Sequence, residues 1–157
     1  MSSVDKIKIQ RALVADTYGS ADVNGDDVFV GDAESVTLCV DVGVSGDTLS
    51  GSVYFQLKLE AAADDGTGSP DTYAAVTDAD DVYSTADTPL TVDANGVFAT
   101  INDPAEDDTQ YIIEYNGKGS GKKAWVRVVI DKTGTHTNGT PMSASASSLP
   151  NFNPVVQ

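Results

Sequence analysis

Ser35-Val36-Thr37-Leu38-Cys39-Val40-Asp41-Val42 decides the fold class. Val36, Leu38, Val40 and Val42 fall on one side of an extended chain, and Ser35, Thr37, Cys39 and Asp41 on the other. Successive side chains of a strand point to opposite faces, so this period of two marks a half-buried strand. The stretch 48–60 repeats the pattern: Val53, Phe55, Leu57 and Leu59 alternate with Ser52, Tyr54, Gln56, Lys58 and Glu60. Between the two runs, Val44-Ser45-Gly46-Asp47-Thr48 is a turn-rich connector.

The same reading continues outward. A strand over 96–101 opens at the turn pair Asn95-Gly96, and one over 109–115 sets Tyr111, Ile113 and Tyr115 on one face. In 124–131, Val126, Val128 and Ile130 oppose Trp125, Arg127 and Val129. Apolar residues on both sides predict a strand central to its sheet, or one that faces a partner. Asn116-Gly117-Lys118-Gly119-Ser120-Gly121 reads as a hairpin loop. Further strand candidates are 6–14, 72–76, 81–84 and 140–146. The one helical competitor, Ala61-Ala62-Ala63, is stopped at once by Asp64-Asp65-Gly66. Together these give about seven to nine short antiparallel strands, the pattern of an all-β fold, either a β-sandwich or a jelly-roll-like barrel. The expected organisation is an N-terminal arm and loop over 1–33, a β-sandwich over 34–142 and a C-terminal tail over 143–157. That tail, small, polar and bearing two prolines, is not expected to pack as sheet interior.

Charge narrows the function classes. Nine Lys and Arg stand against 24 Asp and Glu in 157 residues, a formal net charge of −15. Nucleic-acid affinity comes largely from Lys and Arg neutralising phosphates, so no nucleic-acid partner is expected, and an anionic membrane surface would repel the chain as well. No run approaches the roughly 18 apolar residues of a membrane span, and the start, MSSVDKIKIQRALVAD, lacks the apolar stretch of a signal peptide. A single cysteine, Cys39, allows no intrachain disulfide, and its place in an apolar strand predicts a buried thiol.

Catalytic chemistry finds little to work with. The one histidine, His136, lies in the turn-like Thr133-Gly134-Thr135-His136-Thr137-Asn138-Gly139, with nothing local to make a Cys-His pair with Cys39. A phosphate-binding loop at 116–123 is excluded, because Asn116 and Lys123 stand where Gly and Ser or Thr are required. The pairs Asp64-Asp65, Asp80-Asp81 and Asp107-Asp108 are adjacent residues of turns, whose side chains diverge. Asp22, Asn24 and Asp26 carry oxygens at the first, third and fifth positions of a calcium loop, but Asp27 replaces the required Gly and Ala33 the closing acid. The chain is therefore expected to be non-enzymatic, with no cofactor, and to act by binding.

The order of Val42-Gly43-Val44-Ser45-Gly46-Asp47-Thr48-Leu49-Ser50-Gly51-Ser52, Val53–Glu60, Asp64-Asp65-Gly66, Tyr73–Asp80, Tyr111–Tyr115, Lys122–Val129 and Thr133–Pro141 resembles small structural proteins of tailed bacteriophages, typically head decoration (cement) proteins. The resemblance covers roughly residues 34–147. It implies a protein made in the host cytoplasm that sits on the capsid exterior, takes the major capsid protein as partner and forms a closed oligomer, a trimer being the expectation. Two alternatives stand beside it: a tail or neck component of the virion, and a calcium- or carbohydrate-dependent binding module with the acidic loops as its sites, against which the sugar-stacking candidates Tyr18, Tyr73 and Tyr83 are few and scattered. Candidate contact residues are Lys6, Lys8 and Arg11, which oppose the overall charge, and Trp125 and Arg127, types enriched in interface hot spots. For Trp125 core packing is the leading expectation, ahead of an interface. Phe152, Val155 and Val156 are the anchors of a C-terminal arm, if that segment orders on a neighbouring subunit.

Overall fold

The computed structural model describes residues 8–31, 33, 35–78, 81–84, 91–116 and 123–148. Eleven strands run through them: β1 (Lys8–Tyr18), β2 (Val23–Asn24), β3 (Val28–Phe29), β4 (Ser35–Val42), β5 (Tyr54–Ala62), β6 (Ala74–Ala75), β7 (Val82–Ser84), β8 (Val97–Ile101), β9 (Thr109–Asn116), β10 (Trp125–Thr133) and β11 (Thr140–Ser148). They form two antiparallel sheets. Sheet A has the order β1-β11-β4-β9-β7. Sheet B is centred on β10 and β5; β2 and β3 pair with β10, while β6 and β8 pair with β5. From β7 onward the chain alternates between the sheets, so most connections cross the ends of a sandwich.

The alternation seen in the sequence builds the core. Val36, Leu38, Val40 and Val42 of β4 point inward against Phe55, Leu57 and Leu59 of β5, and Val126, Val128 and Ile130 of β10 join them. Each side chain of this kind contributes about 1.5–3 kcal/mol when fully buried. Ile113 and Tyr115 of β9 complete the inner face, together with Met142, Ala144 and Ala146 of β11.

Three expectations are corrected here. The segment 143–148 is not a tail but the greater part of β11, held between β1 and β4. Met142, Ala144 and Ala146 turn inward and Ser143, Ser145 and Ser147 outward, so small residues keep a strand pattern that hydrophobicity alone conceals. Likewise 8–18, expected within an N-terminal arm and loop with a strand candidate over 6–14, is the edge strand of sheet A, paired with β11 from Lys8↔Ser148 to Tyr18↔Thr140. Cys39, expected in the core, points to the outer face of sheet A between Ser145 and Ile112 and is only half-buried. The parity of β4 dictates this, since its four apolar neighbours occupy the inner side.

β1 is an eleven-residue edge strand, the kind of edge that templates unwanted strand pairing unless it is covered. The segment carrying β2 and β3, paired with β10, lies against part of it. Gly25 and Asp26 straddle the gap between the sheets: the Gly25 N–H donates to the Val128 carbonyl at 2.8 Å, and the Asp26 N–H to the Ala12 carbonyl at 2.8 Å. Gln10 mimics a strand with its side-chain amide, donating to the Phe29 carbonyl at 3.0 Å and accepting from the Phe29 N–H at 3.3 Å. The Tyr18 hydroxyl donates to the Val14 carbonyl, and two register shifts bend β1 between Arg11 and Asp16. Only glycine fits at 25, because a Cβ there would lie 2.3 Å from the Ala12 oxygen and 2.7 Å from the Val128 oxygen.

Leu57→Ala, in the fully buried centre of β5, is expected to lower unfolding stability by about 2–5 kcal/mol. Gly25→Ala should cost about 1–3 kcal/mol through overpacking and expose the β1 edge. Urea denaturation, with amide exchange at Ala12 and Asp26, checks both.

Candidate interaction surface

Three of the residues singled out from the sequence converge on one outer corner. β10 sends Trp125 and Arg127 to the outer face of sheet B, because Val126 and Val128 take the inner face. Phe29, paired with Trp125 across β3 and β10, lays its ring against the indole with centroids 4.8 Å apart at 55°. The ammonium of Lys8, coming from the neighbouring edge of sheet A, stands 5.5 Å over the Phe29 ring. The Trp125 Nε1–H donates to Asp64 Oδ2 at 3.2 Å.

Arg127 is held on two sides. Its guanidinium pairs with Glu60 of β5 at 2.6 Å and stacks on the Tyr73 ring at 4.1 Å. The Tyr73 hydroxyl donates to Asp27 Oδ1 at 2.9 Å, so the loop leading into β6 is strapped over the sheet. Burial pushes the Tyr73 phenol well above its ordinary range, and the bond to Asp27 adds to this. One strand row further along the same face, Lys58 pairs with Asp131.

The remaining candidates go elsewhere. Arg11 is exposed and pairs with Asp26, which raises its already high pKa through that hydrogen bond. Asp22 accepts from the Lys132 N–H at 2.9 Å, and Asn24 lies in β2 opposite Val129. Asp22, Asn24 and Asp26 therefore serve three different partners, and no group of three or more His, Cys, Asp or Glu among the described residues is gathered to hold a metal. The acidic turns use their carboxylates on their own backbone: Asp65 accepts from the Thr67 hydroxyl and N–H, and Asp93 from the Val97 and Asn95 N–H groups, which lowers both carboxyls. Lys6, Phe152, Val155 and Val156 lie outside the described residues. The sugar-stacking candidates separate, with Tyr73 over sheet B and Tyr83 on the outer side of sheet A opposite Glu114. Phe29, Asp27 and Asp64 were missing from the sequence-based set of contact residues, and Tyr73 stood there only as a sugar-stacking candidate. The only sequence signal was the apolar Val28-Phe29-Val30 inside an acidic loop, too short to show a period.

His136, expected in a solvated turn, is in fact sealed at the far end of the sandwich. Its side chain has no exposed surface, and its ring packs on Phe55 with centroids 4.1 Å apart. Nε2 lies 3.1 Å from the Thr133 carbonyl oxygen and Nδ1 3.4 Å from Asp47 Oδ2. Asp47 anchors this end. Its carboxylate accepts from three successive N–H groups, Thr137 at 3.0 Å, Asn138 at 2.9 Å and Gly139 at 2.7 Å. It ties the β4–β5 connector to the β10–β11 connection. These bonds, with that from Asn138 foremost, hold its carboxyl below the usual range. A shallow open groove of about 390 Å³ lies over sheet A, with Asp16 and Asp41 among its lining.

No described protein family matches this chain, and no curated protein does either. Among solved structures, the SPBc2 prophage-derived protein YomS aligns over 94% of this chain and 97% of its own, with 11% identity and a TM-score of 0.42. The VP2 subviral particle of infectious bursal disease virus aligns over 96% of this chain at 11% identity and a TM-score of 0.29. The infectious bursal disease virus Gt strain structure aligns over 97% at 13% identity and a TM-score of 0.27. This chain spans 43% of each of those two viral chains. At such scores the similarities assign neither family nor function.

Asp47→Ala is expected to cost about 1–3 kcal/mol by orphaning three amides. The stabilisation by Asp47 is fully present above the unfolded carboxyl value near ~3.9 and is lost as pH falls toward the lowered folded value. The gap between wild type and variant in denaturation should therefore close on acidification below about pH 4.

Proposed function

We propose that this chain is a non-enzymatic virion protein that decorates the outside of a tailed-phage head shell and stabilises it, with the major capsid protein as its partner. The observation that carries this reading is the partial cover over the edge of β1. A shell-binding accessory accumulates in the cytoplasm before shells are available, and strand-to-strand polymerisation would remove it. Here Asp26 and Tyr18 occupy the Ala12 and Val14 carbonyls of that edge, and the Gln10 side chain holds the Phe29 backbone alongside it. A body blunted in this way meets partners through its faces. Its charge of −15 supports the same reading, since net charge keeps free copies apart and suits an exterior position better than one beside packaged DNA. The sequence resemblance to head decoration proteins points the same way.

Mass spectrometry of purified virions, quantified against the major capsid protein, tests the proposal. A ratio approaching one copy per capsid subunit, or a fixed simple fraction of it, is the expected result. A few copies per particle would assign the chain to the neck or tail instead. Complete absence would overturn the virion reading and favour a free binding module.

A further inference from the structure

His136 is the one histidine of the chain, and the polar groups beside its ring are both acceptors. The Thr133 carbonyl oxygen lies 3.1 Å from Nε2, and Asp47 Oδ2 lies 3.4 Å from Nδ1. A carbonyl can only accept, so Nε2 carries the proton of the neutral ring. That leaves a bare Nδ1 facing a carboxylate, lone pair against lone pair. Among the described residues, Nδ1 is the one buried side-chain nitrogen or oxygen without a hydrogen bond. Such atoms are rare in folded proteins, because water no longer reaches them and nothing replaces it. A ring between two acceptors satisfies both in one state alone, the imidazolium with two N–H donors.

We propose that His136 is a pH-responsive latch. As pH falls through the histidine range, Nδ1 takes a proton from solvent and donates it to Asp47, drawing the β4–β5 connector onto the connection between β10 and β11. The device concerns the closure of this chain itself and is independent of what the chain binds.

The surroundings of the ring leave Asp47 as the charge that answers it. From β5 comes the Phe55 ring, 4.1 Å away between centroids. From the connection after β1 comes Gly19, where a Cβ would lie 3.1 Å from the His136 Cβ. Neither carries charge. At the end of β10, Lys132 turns its ammonium to the Gly134 carbonyl, and Asp22 accepts from the Lys132 N–H. The β4–β5 connector brings Asp47, whose backbone donors, Asn138 foremost, hold its carboxyl below the usual range. Asp47 is therefore already ionised when His136 gains its proton. The pair is sealed, with 0% of the His136 side chain and 8% of that of Asp47 exposed. With little water between them, a charge-assisted bond is stronger than the same bond at the surface. The carboxylate that Nδ1 grips is the one that gathers the amides of 137–139. Mild acid thus tightens this end of the sandwich and rising pH loosens it, until Asp47 itself is neutralised at far lower pH.

Nitrogen NMR of the isotope-labelled ring, together with amide exchange at Asn138 corrected for its intrinsic pH dependence, tests the latch between about pH 8 and about pH 5.5. The expected result is a bare Nδ1 at the upper value and two protonated ring nitrogens at the lower. Opening at Asn138 is expected to become at least about threefold rarer once the second proton is on. His136→Phe keeps a ring against Phe55 but cannot titrate, so its Asn138 amide is expected to lose that response. The ring signals come from the wild-type chain, which keeps the latch testable if this variant does not fold. An Nδ1 that stays bare at about pH 5.5 overturns the latch, as does a ring already doubly protonated at about pH 8. Ring protonation that leaves opening at Asn138 unchanged overturns it too, and so does an Asn138 response that persists in His136→Phe.

Discussion

An edge strand leaves one side of its backbone without a neighbour, and here that edge is eleven residues long. The rest of the molecule is arranged around dealing with it. The Gly25-Asp26 pair fills the gap between β1 and β10, and this requires a residue without a side chain at 25, because two carbonyl oxygens close on it. That bridge brings Phe29 onto β10 beside Trp125 and under Lys8. The aromatic corner is thus a consequence of closing the sandwich on that side.

The opposite end is closed by charge. Asp47 gathers the three amides of 137–139 and abuts the buried ring of His136, which in turn packs on Phe55. A carboxylate in this role replaces a stretch of sheet hydrogen bonding at a point where the chain crosses from one sheet to the other. Both ends of the sandwich are thus tied by specific hydrogen bonds.

The strands with large aliphatic side chains were legible in the sequence. β4, β5 and β10 announce themselves through Val, Leu and Ile at every second residue, and their inward sets are those expected. β11 was not legible as interior, because Met142, Ala144 and Ala146 alternate with serines and bury little area each. Parity also decided Cys39: one residue along β4 moves a side chain from core to outer face, and an apolar neighbourhood does not reveal which. His136 was illegible for another reason. Its burial depends on Phe55 and Asp47, both more than eighty residues away in the chain. Of the contact candidates, Lys8, Trp125 and Arg127 proved to be neighbours in space. Phe29 and Tyr73, which lock them together, sit in short segments whose placement is set by tertiary contacts.

The chain carries one tryptophan and one cysteine, and they lie on opposite outer faces. Hydroxyl-radical footprinting of the protein, free and bound to shells, therefore reads both faces in a single experiment. The account predicts that oxidation of one of the two falls sharply on the shell while that of the other is unchanged. Both residues left as reactive as in the free protein would contradict it.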